Sequence, residues 1–155
     1  MTPTPTIIQA VVNDCPLFRV MAVLGERWSF LILRLAFARV QHFDQFQSTL
    51  GIARNILADR LSKLVENGVL ERIPSEHDRR RIIYRLTQKG EALLPALVAL
   101  RQWGEVWEPG HGNPVIIEKA NGQPIQPIAV LAADGRPLAL EDLDWVDRSE
   151  LKKQP

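Results

Sequence analysis

The apolar residues between Phe43 and Leu86 change their period in a fixed order, and that order limits what the chain can fold into. Phe43, Phe46 and Leu50 recur at helical spacing up to Gly51. Ile56, Leu57, Leu61, Leu64 and Val65 set the inner face of a second helix over 53–67, with Asn67-Gly68 as its C-terminal stop. Residues 69–74 and 81–86 are then short and β-prone, and Ser75-Glu76-His77-Asp78-Arg79-Arg80 joins them as a hairpin with a basic tip. Upstream, Asp14-Cys15-Pro16 starts a helix carrying Leu17, Val20, Met21 and Leu24, which Gly25 ends. Residues 26–38 form another helix, apolar on several faces and therefore expected at the centre of the core. After the hairpin, Thr87 caps a helix bearing Leu93, Leu94, Leu97, Leu100, Trp103 and Trp107. Pro95 kinks that helix or confines the preceding turn.

Helices, then a two-stranded hairpin, is the order of a winged helix-turn-helix. The expected fold is mainly α with a small β-wing, in the α+β class, plus a short C-terminal β-hairpin extension. Three segments follow: 1–14 as a flexible lead-in, 15–107 as the winged-helix domain, and 108–155 as the extension. Pro109-Gly110-His111-Gly112-Asn113-Pro114 marks the second boundary. In the extension, 115–117, Ile125 and 128–131 read as strands, with Asn121-Gly122 and Asp134-Gly135 as tight turns.

The 155 residues carry 19 Lys+Arg and 18 Asp+Glu, a near balance that hides an asymmetry. Residues 1–107 hold 14 basic and 10 acidic side chains, a net of +4, and 108–155 hold 5 and 8, a net of −3. Such a split suits a part that meets a polyanion and a part that does not. On the helix over 53–67 the inward positions leave Arg54, Asn55, Ala58, Asp59, Ser62 and Lys63 outward. Arg and Asn are the side chains that pair bidentately with guanine and adenine edges. Lys63 and Arg60 would meet phosphate, or Arg60 would be paired internally. Between 39 and 85 there are nine basic and six acidic residues, so affinity must come from placement.

These residues carry a resemblance. Cys15-Pro16-Leu17-Phe18-Arg19 followed by Gly25-Glu26-Arg27-Trp28-Ser29-Phe30-Leu31-Ile32-Leu33-Arg34 resembles the start of HxlR-type transcriptional regulators. The likeness runs on through Phe43-Asp44-Gln45-Phe46, 50–61, Leu64-Val65-Glu66-Asn67-Gly68-Val69-Leu70 and Tyr84-Arg85-Leu86-Thr87-Gln88-Lys89-Gly90. The resemblance implies a bacterial, dimeric DNA-binding protein related to the MarR group, whose first and last helices form the dimer interface. It implies double-stranded operator DNA as partner and a small-molecule or electrophile effector in some members. The longest apolar runs, such as 28–33, are too short to span a bilayer, so no membrane partner and a cytoplasmic location are expected. The wing departs from the family's frequent Pro-Pro pair. Its Glu76-His77-Asp78-Arg79-Arg80-Arg81 looks more like the MarR-type wing, in which an arginine enters the minor groove, a role that falls to Arg79 or Arg80. Some HxlR-like proteins end in a cysteine-bearing ribbon. Here the turn glycines persist without sulfur ligands, which suggests metal-free hairpins held by Ile and Val packing and Trp145.

Single residues leave alternatives open. Cys15, at a helix N-terminus, is a candidate redox sensor or a small apolar residue at an interface. As the lone cysteine it excludes an internal disulfide. Trp28, Trp103 and Trp107 are a candidate effector pocket or ordinary core and interface aromatics. His42, His77 and His111 are scattered, so no metal or other cofactor is expected, and His77 belongs to the DNA-facing wing. No phosphate loop, nucleophile elbow or paired-His motif points to an enzyme. The alternative to a DNA-binding regulator is a winged-helix module that binds protein instead.

Overall fold

Helix α2 (Arg27–Phe37) buries more residues than any other described helix: Ser29, Ile32, Leu33, Leu35 and Ala36. A segment apolar on several faces lowers its free energy only when other elements cover those faces. The computed structural model, which describes residues 15–108, Gly110 and 115–146, arranges them in that way. Before α2 comes α1 (Pro16–Leu24). After it come α3 (Phe43–Leu50), α4 (Arg54–Glu66), β1 (Leu70–Pro74), β2 (Ile82–Leu86), α5 (Gln88–Glu91) and α6 (Leu94–Trp107). Ile32 and Leu33 share one buried cluster with Phe46 of α3, Leu57, Leu61 and Leu64 of α4, and Leu70 of β1. The fold is a winged helix-turn-helix. The expected lead-in over 1–14, the Asp14 cap, His111 and the end of the chain from 147 lie outside the described residues.

The wing is a two-stranded antiparallel sheet pairing Leu70 with Leu86 and Pro74 with Ile82. Proline sits at the last strand position, where its missing N–H costs no ladder bond. Glu71 and Arg85 are directly opposite and form an ion pair of 2.8 Å. A third strand-like contact comes from the α2–α3 link: the Tyr84 N–H donates to the Gln41 carbonyl at 2.8 Å, and His42 bridges to Ile83. The base of the wing is thereby tied to the start of α3.

The last helical region is two pieces. Thr87 caps α5, its hydroxyl accepting the Gly90 N–H at 3.1 Å and donating to the Gly68 carbonyl at 2.6 Å. The chain turns at Ala92 and Leu93, and α6 restarts with Pro95 in its first turn, so proline here begins a helix instead of kinking one. Lys89 reaches the Asn67 carbonyl at 2.7 Å and satisfies an exposed acceptor at the C-terminus of α4.

The expectations for Ile56 and for the extension are corrected. Ile56 was placed inward, but a helix of 3.6 residues per turn that buries Leu57, Leu61 and Leu64 rotates it outward, and it is 36% exposed. On α1 only Leu24 is buried, while Leu17, Phe18 and Met21 are exposed. Residues 19–108 form one compact unit. The extension belongs to another, and within it the expected strands shrink to single bridges, Ile117–Pro124 and Leu131–Pro137. Its two turns do form, with Gly122 and Gly135 at φ of 70° and 85°, where a side chain would be strained. Packing by Ile and Val does not hold them: Ile117, Ile128, Val130, Leu131 and Trp145 are all 46% exposed or more. Asparagine and aspartate do it instead. Asn121 accepts the Gln123 N–H at 2.8 Å and Asp134 the Arg136 N–H at 3.0 Å.

Arg60, which ties α4 to the start of α2, is largely buried, 15% exposed in its side chain, and pairs at 3.3 Å with both Glu26 and Asp59. Arg60→Ala should lower the unfolding free energy by about 1–3 kcal/mol through lost stem packing and a lost ion pair. Arg79→Ala on the exposed wing should stay within about 0.5 kcal/mol of wild type, both read from urea titrations. Gly90 is buried, and a Cβ there would collide with the Val69 carbonyl and crowd Leu86. Gly90→Ala should therefore cost about 1–3 kcal/mol in the same assay by forcing backbone apart where α5 meets the wing.

Candidate nucleic-acid interface

With Leu57, Leu61 and Leu64 inward, α4 presents Arg54, Asn55, Ala58, Asp59, Ser62 and Lys63 to solvent, as its period requires. Its N-terminus is uncapped. Ala53 makes no side-chain hydrogen bond there, and the first turn has no acidic residue. Among the described residues, no capping side chain or first-turn carboxylate competes for the first amide N–H groups and the positive end of the helix dipole. Such an end suits a phosphate oxygen. Arg54 is not loose on this surface: its guanidinium lies over the ring of Phe43, 4.7 Å from the centroid. Asn55 is exposed beside it. Lys63 pairs with Asp59 at 3.3 Å, but both are about half exposed, and such a pair is worth little and is readily exchanged.

Arg60 is the residue that sequence reasoning placed in two ways. Its burial and its pairs with Glu26 and Asp59 make it a buttress behind the helix and remove it from the outer face. The reason is position: Arg60 lies one helical turn before Leu64 and one turn after Leu57, close to the buried side.

The wing places its arginines differently from a continuous strand. β2 begins only at Ile82, so Arg79, Arg80 and Arg81 stand in the loop and do not alternate between two sheet faces. Asp78 shapes that loop, its carboxylate accepting the Arg80 N–H at 3.0 Å and its carbonyl the Arg81 N–H at 2.9 Å. The Ser75 N–H donates to the Arg81 carbonyl at 2.7 Å and closes the loop. All three arginine side chains are exposed, and among the described residues no carboxylate pairs with them. His77 is exposed at the same tip.

The remaining candidates do not join this surface. Trp28 is half-buried against the core, with Arg27 stacked on its ring at 4.3 Å. Trp103 and Trp107 are 56% and 70% exposed on α6. Cys15 is half-exposed and free, its carbonyl accepting the Phe18 N–H at 3.1 Å in the first turn of α1. His42 lies at the start of α3, and among the described residues no three His, Cys, Asp or Glu side chains converge as metal ligands do. Sequence reasoning missed two residues. Phe43 was only a helix marker, although an aromatic eleven positions before an exposed arginine was the available signal. Glu26 lies just before α2, and nothing local in the sequence links it to Arg60.

Comparison with known proteins gives a consistent family. The model of the HxlR-like helix-turn-helix matches residues 23–111. A Mycobacterium tuberculosis protein named uncharacterized HTH-type transcriptional regulator Rv3095 is 45% identical over 98 residues; the match spans 63% of this chain and 62% of that protein's length. The crystal structure of PA1607, assigned there as a candidate transcription factor, superposes with a TM-score of 0.81 at 45% identity, covering 90% of this chain and 99% of that one. That coverage extends well past residue 111, so much of the extension is shared with it. Quinone-bound YodB from Bacillus subtilis superposes with a TM-score of 0.52 at 29% identity, over 60% of this chain and all of that one. With its order of elements and its wing, the chain belongs to the HxlR-like helix-turn-helix family.

Proposed function

We propose that this protein is a sequence-specific transcriptional regulator that binds double-stranded DNA as a homodimer and acts as a repressor. One observation carries the reading: an uncapped helix start that exposes Arg54 and Asn55 on α4, the second helix of the helix-turn-helix. An α-helix fits the major groove, where an arginine fork matches guanine and an amide matches adenine. The loop of Arg79, Arg80 and Arg81 supplies cations for the phosphates and the narrow minor groove beside it. The named relatives are transcriptional regulators, which supports the same reading.

Dimerisation follows from the apolar surface that one chain leaves uncovered. Leu17, Phe18 and Met21 on α1 and Leu100, Trp103, Val106 and Trp107 on α6 are exposed. Large exposed apolar side chains recurring along two helices are the mark of an interface. Two copies related by a two-fold axis would set their α4 helices about 34 Å apart, one turn of B-DNA, on a pseudo-palindromic operator. The protein would work in the cytoplasm, where the chromosome is.

An effector reading rests on the YodB relative, which has been crystallised with quinone bound. By analogy Cys15, the lone and half-exposed cysteine near the start of α1, is the point at which an electrophile would act on this chain. An adduct there would weaken DNA binding by favouring a dimer with the wrong helix spacing.

Fluorescence anisotropy on the intergenic DNA beside the protein's own gene, against a scrambled duplex at two salt concentrations, tests the central claim. Strong preference for the native fragment is expected. The Arg79→Glu/Arg80→Glu double variant should bind that fragment more weakly and flatten the log–log salt slope by about 2. An indifferent double variant would favour a protein-binding module. Sedimentation should show a dimer at micromolar concentration, and Trp103→Asp should shift it to monomer.

A further inference from the structure

We infer that Phe43 is a specificity-determining positioning residue: by stacking on Arg54 it presents the arginine fork to guanine and so sets the base preference of α4. The inference rests on the DNA-binding reading above. Phe43 opens α3 and Arg54 opens α4, so the contact spans the helix-turn-helix and joins the first turns of its two helices. The guanidinium carbon lies 4.7 Å from the ring centroid, within the range of a cation–π contact. Phe43 is itself anchored, half-buried against the core cluster, so the platform is rigid while the cation on it is exposed.

Stacking uses only the face of the guanidinium. A guanidinium held by its face keeps its N–H edge available, no hydrogen bond or ion pair among the described residues occupies the Arg54 N–H groups, and that edge is what matches the O6 and N7 acceptors of guanine. No carboxylate among the described residues pairs with Arg54, so the ring is the partner that restrains the side chain. A free arginine would lose several rotatable bonds' worth of freedom on reaching a base, whereas the stacked one is already ordered. A phosphate would accept the cation from many directions and would gain little from such restraint. A base edge has one plane and one pair of acceptors. The rigid platform therefore points to guanine as the target of Arg54.

The test uses the full-length protein and the duplex it enriches from random-sequence DNA. Single 7-deazaguanine replacements along that duplex remove one N7 acceptor at a time and leave every phosphate in place. Wild type is expected to lose roughly tenfold affinity at one guanine in each half-site. Phe43→Leu, which keeps the apolar anchor and loses the ring, should bind the unmodified duplex roughly threefold to tenfold more weakly and be much less sensitive to that replacement, with an unchanged salt slope. Phe43→Tyr, which keeps the ring, should restore both. Arg54→Lys should keep the charge and the stack yet lose the 7-deazaguanine effect, and it leaves the Phe43 packing untouched should the leucine variant fold poorly. The proposal is overturned if no guanine replacement affects wild type, if Phe43→Leu keeps the full sensitivity, or if it binds more tightly because the stack had been holding Arg54 back. Enrichment of no sequence by wild type would overturn the DNA-binding reading itself, and this inference with it.

Discussion

Leu57, Leu61 and Leu64 are fully buried in the same cluster as Ile32 and Leu33 of α2, and this apolar contact fixes the rotation of α4 about its own axis. Removing one such leucine would cost about 2–5 kcal/mol, a large share of the stability of a domain this size. Rotation of a helix is not a local property, because any of several faces can turn inward if a neighbour will cover it. Here α2 is the neighbour, and it turns Ile32, Leu33, Leu35 and Ala36 inward while Arg27 and Arg34 stay on its exposed face. Once α4 is fixed, the direction of every side chain on its outer surface follows.

The polar contacts refine what burial sets. Arg60 reaches back from α4 to Glu26 at the N-terminus of α2, and the Arg54 stack reaches from α4 to the first residue of α3. The link through Gln41 and His42 ties the same region to β2. The starts of α2 and α3 are therefore each tied to α4, and the start of α3 also to the wing base. A base-reading surface needs such joints, since an error of an ångström in side-chain position removes a bidentate hydrogen bond. The exposed wing arginines need less: charge near a phosphate tolerates imprecise placement. On the proposed DNA-binding reading, that difference fits an Arg54 ordered by a ring and Arg79, Arg80 and Arg81 standing unpaired in a loop.

The extension follows a different physical logic from the domain it adjoins. Among its described residues it has turns held by Asn121 and Asp134, two isolated bridges and one 3-10 turn, Leu140–Asp142, with most of its large apolar residues exposed. Too little apolar surface is covered to offset the entropy of ordering it as a sheet. Its strands were read from runs such as Val115-Ile116-Ile117, which have the composition of a strand. Strand composition describes a fit to a half-buried pleated surface, and here no second surface covers it.

The sequence by itself determined the order of the helices and the wing and, Ile56 apart, the outward face of α4. Helical and strand periods, the Asn67-Gly68 stop and the Thr87 cap are local signals, and local hydrogen bonding and sterics act on neighbours in the chain. It also determined which residue types face outward on α4, because burying one stripe of a helix exposes the other. Tertiary structure alone decided that Arg60 turns inward to Glu26, that Phe43 lies under Arg54, and that the wing arginines sit in a loop shaped by Asp78. Those partners are 34 and 11 residues apart in the first two cases, and only packing of α2, α3 and α4 around a shared core brings them within reach. It likewise left the apolar faces of α1 and α6 open, since a sequence period marks which residues seek burial and only the assembled fold decides whether one chain has surface enough to cover them.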